Sequence, residues 1–202
     1  DAVLRDIGAD CIKTGMLASA EMIEAVCERL DSLSPHVPRV VDPVMVATSG
    51  DRLMQADAIS ALKTLLIPGA ALLTPNIPEA EILTGLQITD DAMMQRAAQA
   101  ILAMGAKAVL MKGGHGAGAQ VSDWLVTADE VRIITEPRLD TRHTHGTGCT
   151  LASAVATGLA QGMALSDAFS RAHAYVREAI RTAPGFGAGH GPLNHGHGFR
   201  KD

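Results

Sequence analysis

The stretch His143-Thr144-His145-Gly146-Thr147-Gly148-Cys149-Thr150 runs directly into Leu151-Ala152-Ser153-Ala154-Val155-Ala156, so a glycine-rich loop meets the start of an alanine-rich helix. Glycines let the backbone turn tightly and come close to a ligand. The first N–H groups of a helix have no partner within the helix, and they face an anion with the positive end of the helix dipole behind them. Cys149 stands at this helix start, where the thiolate is favoured. A phosphate site beside an activatable side chain indicates phosphoryl transfer, although this stretch alone leaves a simple tight turn open.

Strand patterns and helical patterns alternate along the rest of the chain. Ser19 and Asp90 are suited to cap two of the helices. The predicted strands span residues 11–16, 39–44, 71–74 and 108–112, with a hairpin at 121–126 and 131–135, and the predicted helices span 19–30, 56–66, 78–83, 90–104, 149–161 and 166–182. Repeated strand–helix units predict an α/β fold with a mostly parallel sheet covered by helices. In such folds ligands bind at the carboxyl ends of the strands.

The amino-acid composition limits which class of protein this chain can be. The 202 residues, 47% of them hydrophobic, suffice for one domain, and we expect residues 1–202 to form it. A net charge of −5 and only 2% aromatic residues argue against nucleic acid as a partner. No apolar run reaches the roughly 18 residues of a membrane span, and no signal peptide is visible. The three cysteines fit neither a disulfide framework nor a zinc site, which indicates a reducing, cytoplasmic setting.

Two polar residues follow the third predicted strand. Asn76 and Glu79 bracket a turn initiated by Pro78, so that both side chains can face one point. One carboxylate and one amide suffice for Mg²⁺, which keeps several of its waters. The alternative is that the same two residues cap the following helix, and spacing alone slightly favours capping.

Charged residues end two other predicted strands. Lys112 closes an apolar strand before Gly113 and Gly114, and it either extends to solvent or places charge on a phosphate. The glycine pair favours the phosphate. Asp42 either caps the next turn or faces the same region. The histidines of the Gly-rich tail are loosely spaced, so we favour a solvated tail over a metal site there.

Several motifs together resemble one family. They are Lys13-Thr-Gly-Met-Leu17, Val41-Asp-Pro-Val-Met45, Thr74-Pro-Asn-Ile-Pro-Glu-Ala80, Val109-Leu-Met-Lys-Gly-Gly-His115, His145-Gly-Thr-Gly-Cys-Thr150 and Gly189-His-Gly-Pro-Leu-Asn-His195. In these motifs the chain is similar, over essentially its whole length, to the hydroxymethylpyrimidine/phosphomethylpyrimidine kinases of thiamine biosynthesis. Gly-Thr-Gly-Cys is discriminating, because most ribokinase-like enzymes carry Asp where Cys149 stands. The resemblance implies a three-layer α/β/α ribokinase-like fold.

The resemblance also implies an activity, the phosphorylation by ATP of 4-amino-5-hydroxymethyl-2-methylpyrimidine and of its monophosphate. On the phosphate side, Gly146, Gly148 and the neighbouring amides, including Thr147, would form an anion hole for the transferring phosphoryl group. Lys112 would neutralise the ATP phosphates. Asp42 would lie near the same phosphates.

On the acceptor side, the resemblance makes Cys149 the base toward the substrate hydroxyl, and Met16 and Val44 would line the pyrimidine pocket. Asn76 and Glu79 would organise Mg²⁺ through water. We further expect a homodimer.

The front of the chain departs from the family pattern. The chain starts at Asp1 close to a helix–strand junction, and the family's Gly-rich opening strand, its pyrimidine-reading loop and a lid segment have no counterpart here. We therefore expect an N-terminal strand and loop to be missing. Two alternatives stay open: a kinase for pyridoxal-type vitamers, and a non-catalytic nucleotide-binding or assembly module.

Overall fold

The central element of the molecule is a six-stranded sheet in the order β1-β2-β3-β4-β5-β6. The computed structural model describes residues 1–45, 54–115 and 118–199. The strands are β1 Ile12–Thr14, β2 Arg39–Val41, β3 Leu72–Leu73, β4 Ala108–Met111, β5 Gln120–Thr127 and β6 Val131–Pro137. Neighbours from β1 to β4 pair in parallel, whereas β5 and β6 form the predicted antiparallel hairpin. The prediction of a mostly parallel α/β sheet is confirmed.

Helices connect the parallel strands and follow the hairpin. They are α1 Ala2–Asp6, α2 Ala20–Leu33, α3 Ala56–Ala61, α4 Ile77–Thr84, α5 Asp91–Ala103, α6 Thr147–Ala160 and α7 Leu165–Arg181, and a π-helical turn at Leu62–Leu66 extends α3. Both predicted caps are confirmed, because Ser19 accepts from the Met22 N–H at 3.3 Å and Asp90 accepts from the Met93 N–H at 2.8 Å. Within the described residues, no helix is long and apolar enough to cross a bilayer.

The buried face of α2 differs from the predicted one. The apolar residues of this helix predict one face formed by Met22, Ile23, Val26 and Leu30, yet Met22 is 47% exposed. The buried residues are Ile23, Cys27 and Leu30, at spacings of four and three. Adjacent helix positions are about 100° apart, so Met22 and Ile23 cannot both point at the sheet.

Alternate residues of the strands supply two cores. Val41, Leu73 and Val109 pack beneath the α2–α5 layer. Val40, Leu72 and Leu110 pack on the other face, against α6 and α7. Because both faces of the parallel strands are covered, the central strands β3 and β4 are apolar throughout. The expected three-layer α/β/α architecture is confirmed, and polar groups are concentrated at the strand ends.

The carboxyl ends of β1 to β4 lie along one edge of the sheet, as parallel pairing requires. Just beyond β3 and β4, Asn76 and Lys112 still pair in parallel. The Lys112 N–H donates to the Pro75 carbonyl at 2.9 Å. The sheet thus brings the turn after β3 against the end of β4.

Candidate active site

The Asp42 carboxylate lies at the centre of this edge, directly after β2, and it is 1% exposed. Its Oδ1 accepts from Lys112 Nζ at 2.9 Å and from the Thr74 hydroxyl at 3.1 Å, while Lys13 Nζ lies 3.5 Å from Oδ2. Burial acts to raise the pKa of Asp42, but the two ammonium groups and the hydrogen bonds outweigh it, and the pKa lies below its ordinary value. Asp42 is therefore an ionised counterion shared by two lysines.

The start of α6 lies beside Lys112. Gly146 precedes the helix with φ of 84°, a left-handed conformation that favours glycine, and it provides no side-chain cap. A Cβ on Gly148 would lie 3.0 Å from Lys112 Nζ, so glycine lets the ammonium reach the helix end. Within the described residues, the N–H groups of Gly148 and Cys149 donate no hydrogen bond. Two free donors and one cation thus converge, as an anion requires.

Thr147 takes part in this helix start through both its N–H and its hydroxyl. Its N–H donates to the Thr144 carbonyl at 3.2 Å, and its hydroxyl donates to the same carbonyl at 2.7 Å. The side chain therefore closes the turn before α6. A direct role of Thr147 toward nucleotide stays a prediction.

The thiol of Cys149 is exposed at the first turn of α6, but its ionisation differs from the expectation. Burial and the nearby Asp42 carboxylate raise the pKa of Cys149 above its ordinary value, with Lys13 and Lys112 acting in the opposite direction. The expected preference for the thiolate is contradicted, because burial and the Asp42 carboxylate together outweigh the two ammonium groups. Cys149 is a protonated thiol at neutral pH.

The start of α4, unlike the start of α6, is capped by side chains. Asn76 Oδ1 accepts from the Glu79 N–H at 2.9 Å, and Glu79 Oε2 accepts from the Asn76 N–H at 2.7 Å. This reciprocal capping box is the alternative that the spacing favoured. Burial raises the pKa of Glu79 above its ordinary value, although Lys112 Nζ, 3.8 Å from Oε2, acts to lower it.

Oxygen donors suited to a hard cation are present at this corner. Within the described residues, Asp42 Oδ2 is buried and accepts no hydrogen bond, although Lys13 Nζ lies 3.5 Å from it, and Glu79 Oε2 lies 3.8 Å from Lys112 Nζ. Carboxylate oxygens are the ligands that Mg²⁺ prefers, and water fills the rest of its shell. No cluster of three or more His, Cys, Asp or Glu side chains suited to a metal occurs in residues 1–45, 54–115 and 118–199. The residues present fit a water-rich Mg²⁺ site, and ligation by Asn76 and Glu79 stays a prediction.

The expected pyrimidine-lining residues lie at the same edge of the sheet. Met16 follows β1 and is 52% exposed, and Val44 follows β2 and is half-buried. A groove of about 580 Å³ borders Cys149 and runs between α6 and α7 to Tyr175, and neither Met16 nor Val44 lines it. Their role toward a pyrimidine stays a prediction.

Two residues of the site were not singled out from the sequence. Lys13 points at Asp42 from β1. Asp123 on β5 is buried, and its Oδ1 accepts from the Gly113 N–H at 2.8 Å, which holds the turn after Lys112. A charge at the end of an apolar strand is the signal that marked Lys112, and Lys13, which follows Ile12 in the short β1, offers a weaker form of this signal.

Comparison with known proteins gives the family. A family model described as phosphomethylpyrimidine kinase matches residues 1–194. The chain is 49% identical over 195 residues to the thiamine biosynthesis bifunctional protein ThiED of Geobacter sulfurreducens, covering 96% of this chain and 40% of that protein. It is 47% identical over 195 residues to the hydroxymethylpyrimidine/phosphomethylpyrimidine kinase of Streptomyces coelicolor, covering 96% of this chain and 71% of that kinase.

A solved structure supports the fold. The ADP complex of Bacillus subtilis pyridoxal kinase superposes with a TM-score of 0.88 at 31% identity, covering 96% of this chain and 73% of that one. Because one family model spans nearly all of the chain and a kinase of that name is 47% identical to it, the chain belongs to the phosphomethylpyrimidine kinase family.

Proposed function

We propose that this chain transfers the γ-phosphoryl group of ATP to 4-amino-5-hydroxymethyl-2-methylpyrimidine and then to its monophosphate. The observation that carries the proposal is the open start of α6, where the N–H groups of Gly148 and Cys149 have no partner among the described residues and Lys112 Nζ lies against Gly148. Family membership supplies the substrate class.

In the first transfer, the hydroxyl oxygen of the pyrimidine attacks the γ-phosphorus, the bond from that phosphorus to the ADP oxygen breaks, and the hydroxyl proton is released to water. Negative charge on the moving group is stabilised by the α6 amides and by Lys112. These groups are fixed before the reaction, since Lys112 is held by Asp42 and by its backbone bond to Pro75. Positioning and charge therefore provide most of the catalysis.

Cys149 stands toward the acceptor hydroxyl in this proposal. Because its thiol is protonated at neutral pH, it orients the hydroxyl, and it becomes a proton acceptor only as the pH approaches its raised pKa.

Mg²⁺ belongs to the proposal together with ATP. When bound, the ion supplies positive charge to the nucleotide phosphates. Asn76 and Glu79, acting through water, would hold it. The cytoplasm as the location and a homodimer as the assembly are further parts of the proposal, and sedimentation of the purified chain tests the dimer.

The test is turnover of the chain with MgATP and each acceptor, followed by ADP release and by the mass of the product. We expect mono- and diphosphate products from the hydroxymethylpyrimidine. Nucleotide binding without turnover on any acceptor would favour the non-catalytic alternative.

A pyridoxal kinase is the second candidate. It is favoured by the TM-score of 0.88 to a kinase of that name. The same assay with pyridoxal separates the two, because the proposal requires a higher kcat/KM for the pyrimidine.

A further inference from the structure

Lys13 is a mostly buried cation of the site with no role in the function described so far. Its side chain is 18% exposed, and its Nζ lies 3.5 Å from Asp42 Oδ2. Within the described residues its ammonium donates no hydrogen bond, and Asp42 Oδ2 accepts none. A desolvated ammonium normally has hydrogen-bond partners. The donors of Lys13 are therefore available to a ligand.

Lys13 and Lys112 reach Asp42 from opposite sides. Lys13 is on β1 and Lys112 follows β4, with β2 and β3 between them in the sheet. Lys112 is bound tightly, at 2.9 Å from Asp42 and beside Glu79 and the start of α6, whereas Lys13 makes the longer contact. A Cβ on Gly15 would lie 3.2 Å from Lys13 Nζ, so this ammonium lies beside the turn after β1 that also carries Met16, the residue expected to line the pyrimidine pocket. Lys13 is thus the cation on the β1 side of Asp42, and Lys112 is the cation between the starts of α4 and α6.

The two acceptors of the proposed function differ by one phosphate, which carries a charge of about −1.5 to −2 at neutral pH. In the second transfer an ionised phosphate oxygen attacks the γ-phosphorus, the bond to the ADP oxygen breaks, a P–O–P linkage forms, and no hydroxyl proton has to leave. This transfer brings two anions together, so it needs an additional cation more than it needs a base.

Resting on the proposed function, we propose that Lys13 is a specificity-determining residue that binds the phosphate of the monophosphate acceptor, while Lys112 serves the nucleotide phosphates. Asp42 holds both ammonium groups in place until the two phosphates arrive. The first acceptor, which lacks a phosphate, makes no use of Lys13.

The test compares kcat/KM for the two acceptors in Lys13→Met, Lys13→Gln and Lys13→Arg, with Lys107→Met, an exposed lysine just before β4, as the matched control. We expect both neutral variants to lose at least about tenfold more on the monophosphate than on the alcohol, as for one lost charged hydrogen bond. Lys13→Arg should keep most of the ratio, and Lys107→Met should leave it unchanged. Two neutral variants guard against one that fails to fold.

Equal losses on both acceptors would show that Lys13 only compensates Asp42, and would overturn the inference. Calorimetric titration with the monophosphate and ADP separates this inference from the proposed function. If the parent chain phosphorylates neither acceptor, the proposed function fails. Weaker binding of the monophosphate by Lys13→Met than by the parent would then still support Lys13 as its phosphate ligand, and equal binding would overturn it.

Discussion

Two helices begin at the same edge of the sheet, and they differ in whether side chains cap their first N–H groups. α4 is closed by its own side chains, through the reciprocal hydrogen bonds of Asn76 and Glu79. α6 begins at Gly146 without any side-chain cap, and the N–H groups of Gly148 and Cys149 are left without partners in the described chain. Lys112 lies at both helix starts, with its Nζ 3.8 Å from Glu79 Oε2 and beside Gly148.

The difference separates stability from ligand binding. A capped helix start satisfies its donors and stabilises the fold, whereas an uncapped start loses that stabilisation and keeps its donors for an anion. We infer that α4 is a fixed support for Lys112 and that α6 is the phosphate-binding corner. Substitutions at the two helix starts should therefore have different consequences, and five predictions test this contrast.

The largest effect is expected at the uncapped start of α6, for Cys149→Ala. Loss of a group that orients or deprotonates the acceptor hydroxyl should lower kcat by about 10²–10⁴. Cys149→Ser should remain well below the parent, and Cys11→Ala, which removes a thiol outside the site, is the control. Steady-state turnover on the hydroxymethylpyrimidine measures the effect. Near-parent turnover of Cys149→Ala would remove the thiol from the mechanism.

Lys112→Ala should lower kcat by about 10²–10³, because the ammonium stabilises charge that develops in the transition state. The KM for the pyrimidine should change less. Lys107→Ala, at the amino end of the same strand, is the control and should behave as the parent does. An effect confined to the KM for the pyrimidine would show that Lys112 acts on the pyrimidine and not on the ATP phosphates.

Glu79→Gln tests whether Glu79, besides capping α4, also helps to bind Mg²⁺. Glutamine keeps an oxygen that can accept from the Asn76 N–H, so the cap persists while the charge is lost. The Mg²⁺ concentration for half-maximal turnover should rise by about 10–100-fold, as for loss of a residue that acts on a metal through a ligand or water. Glu81→Gln, on the same helix but bonded to Ile88, is the matched control. An unchanged Mg²⁺ requirement would leave Glu79 with capping alone.

Asn76→Ala should cost about 1 kcal/mol of stability, the usual effect of losing an N-cap, seen as a lower denaturant midpoint. Asp90→Ala removes the equivalent bond at α5, away from the site. Both variants should lose similar stability, and only Asn76→Ala should also reduce turnover, because Asn76 lies beside Lys112. Equal turnover in the two variants would mean that the α4 cap serves the fold alone.

The smallest effect concerns the Cys149 thiol. Its pKa should lie above the free-thiol value of about 8.5, measured by thiolate absorbance as the difference between the parent and Cys149→Ser. Because the folded pKa exceeds the unfolded one, the thiol stabilises the fold at neutral pH, and this contribution is lost as the pH rises through the folded pKa. Lys13→Met should raise the pKa further. A value below that of a free thiol would show that the helix end dominates after all.

Much of the fold was predictable because it depends on local patterns. Ser19 and Asp90 were identified as caps from residue type and position, and the structure confirms both. The α6 boundary follows from Gly146 and Gly148. The error at Met22 arose because Met22 and Ile23 are adjacent apolar residues, so the pattern admits more than one buried face, and only contact with the sheet selects Ile23, Cys27 and Leu30.

The site was predictable in part. Asp42 and Lys112 were expected near phosphate because they end strands, and parallel pairing brings such ends together. Lys13 carries a weaker form of this signal, and its importance depends on the Asp42 carboxylate, which only the pairing of β1 with β2 places beside it. Asp123 was missed because its partner is a backbone N–H of another strand end.

The sequence by itself determined the order of strands and helices, the open glycine-rich start of α6 and the chemistry available at the strand ends. These properties depend on residues within a few positions of each other. The tertiary structure decided that one buried carboxylate is shared by Lys13 and Lys112 and that the Cys149 thiol is protonated rather than ionised. Charge and burial act through space, so the ionisation of a group depends on neighbours that are far away along the chain.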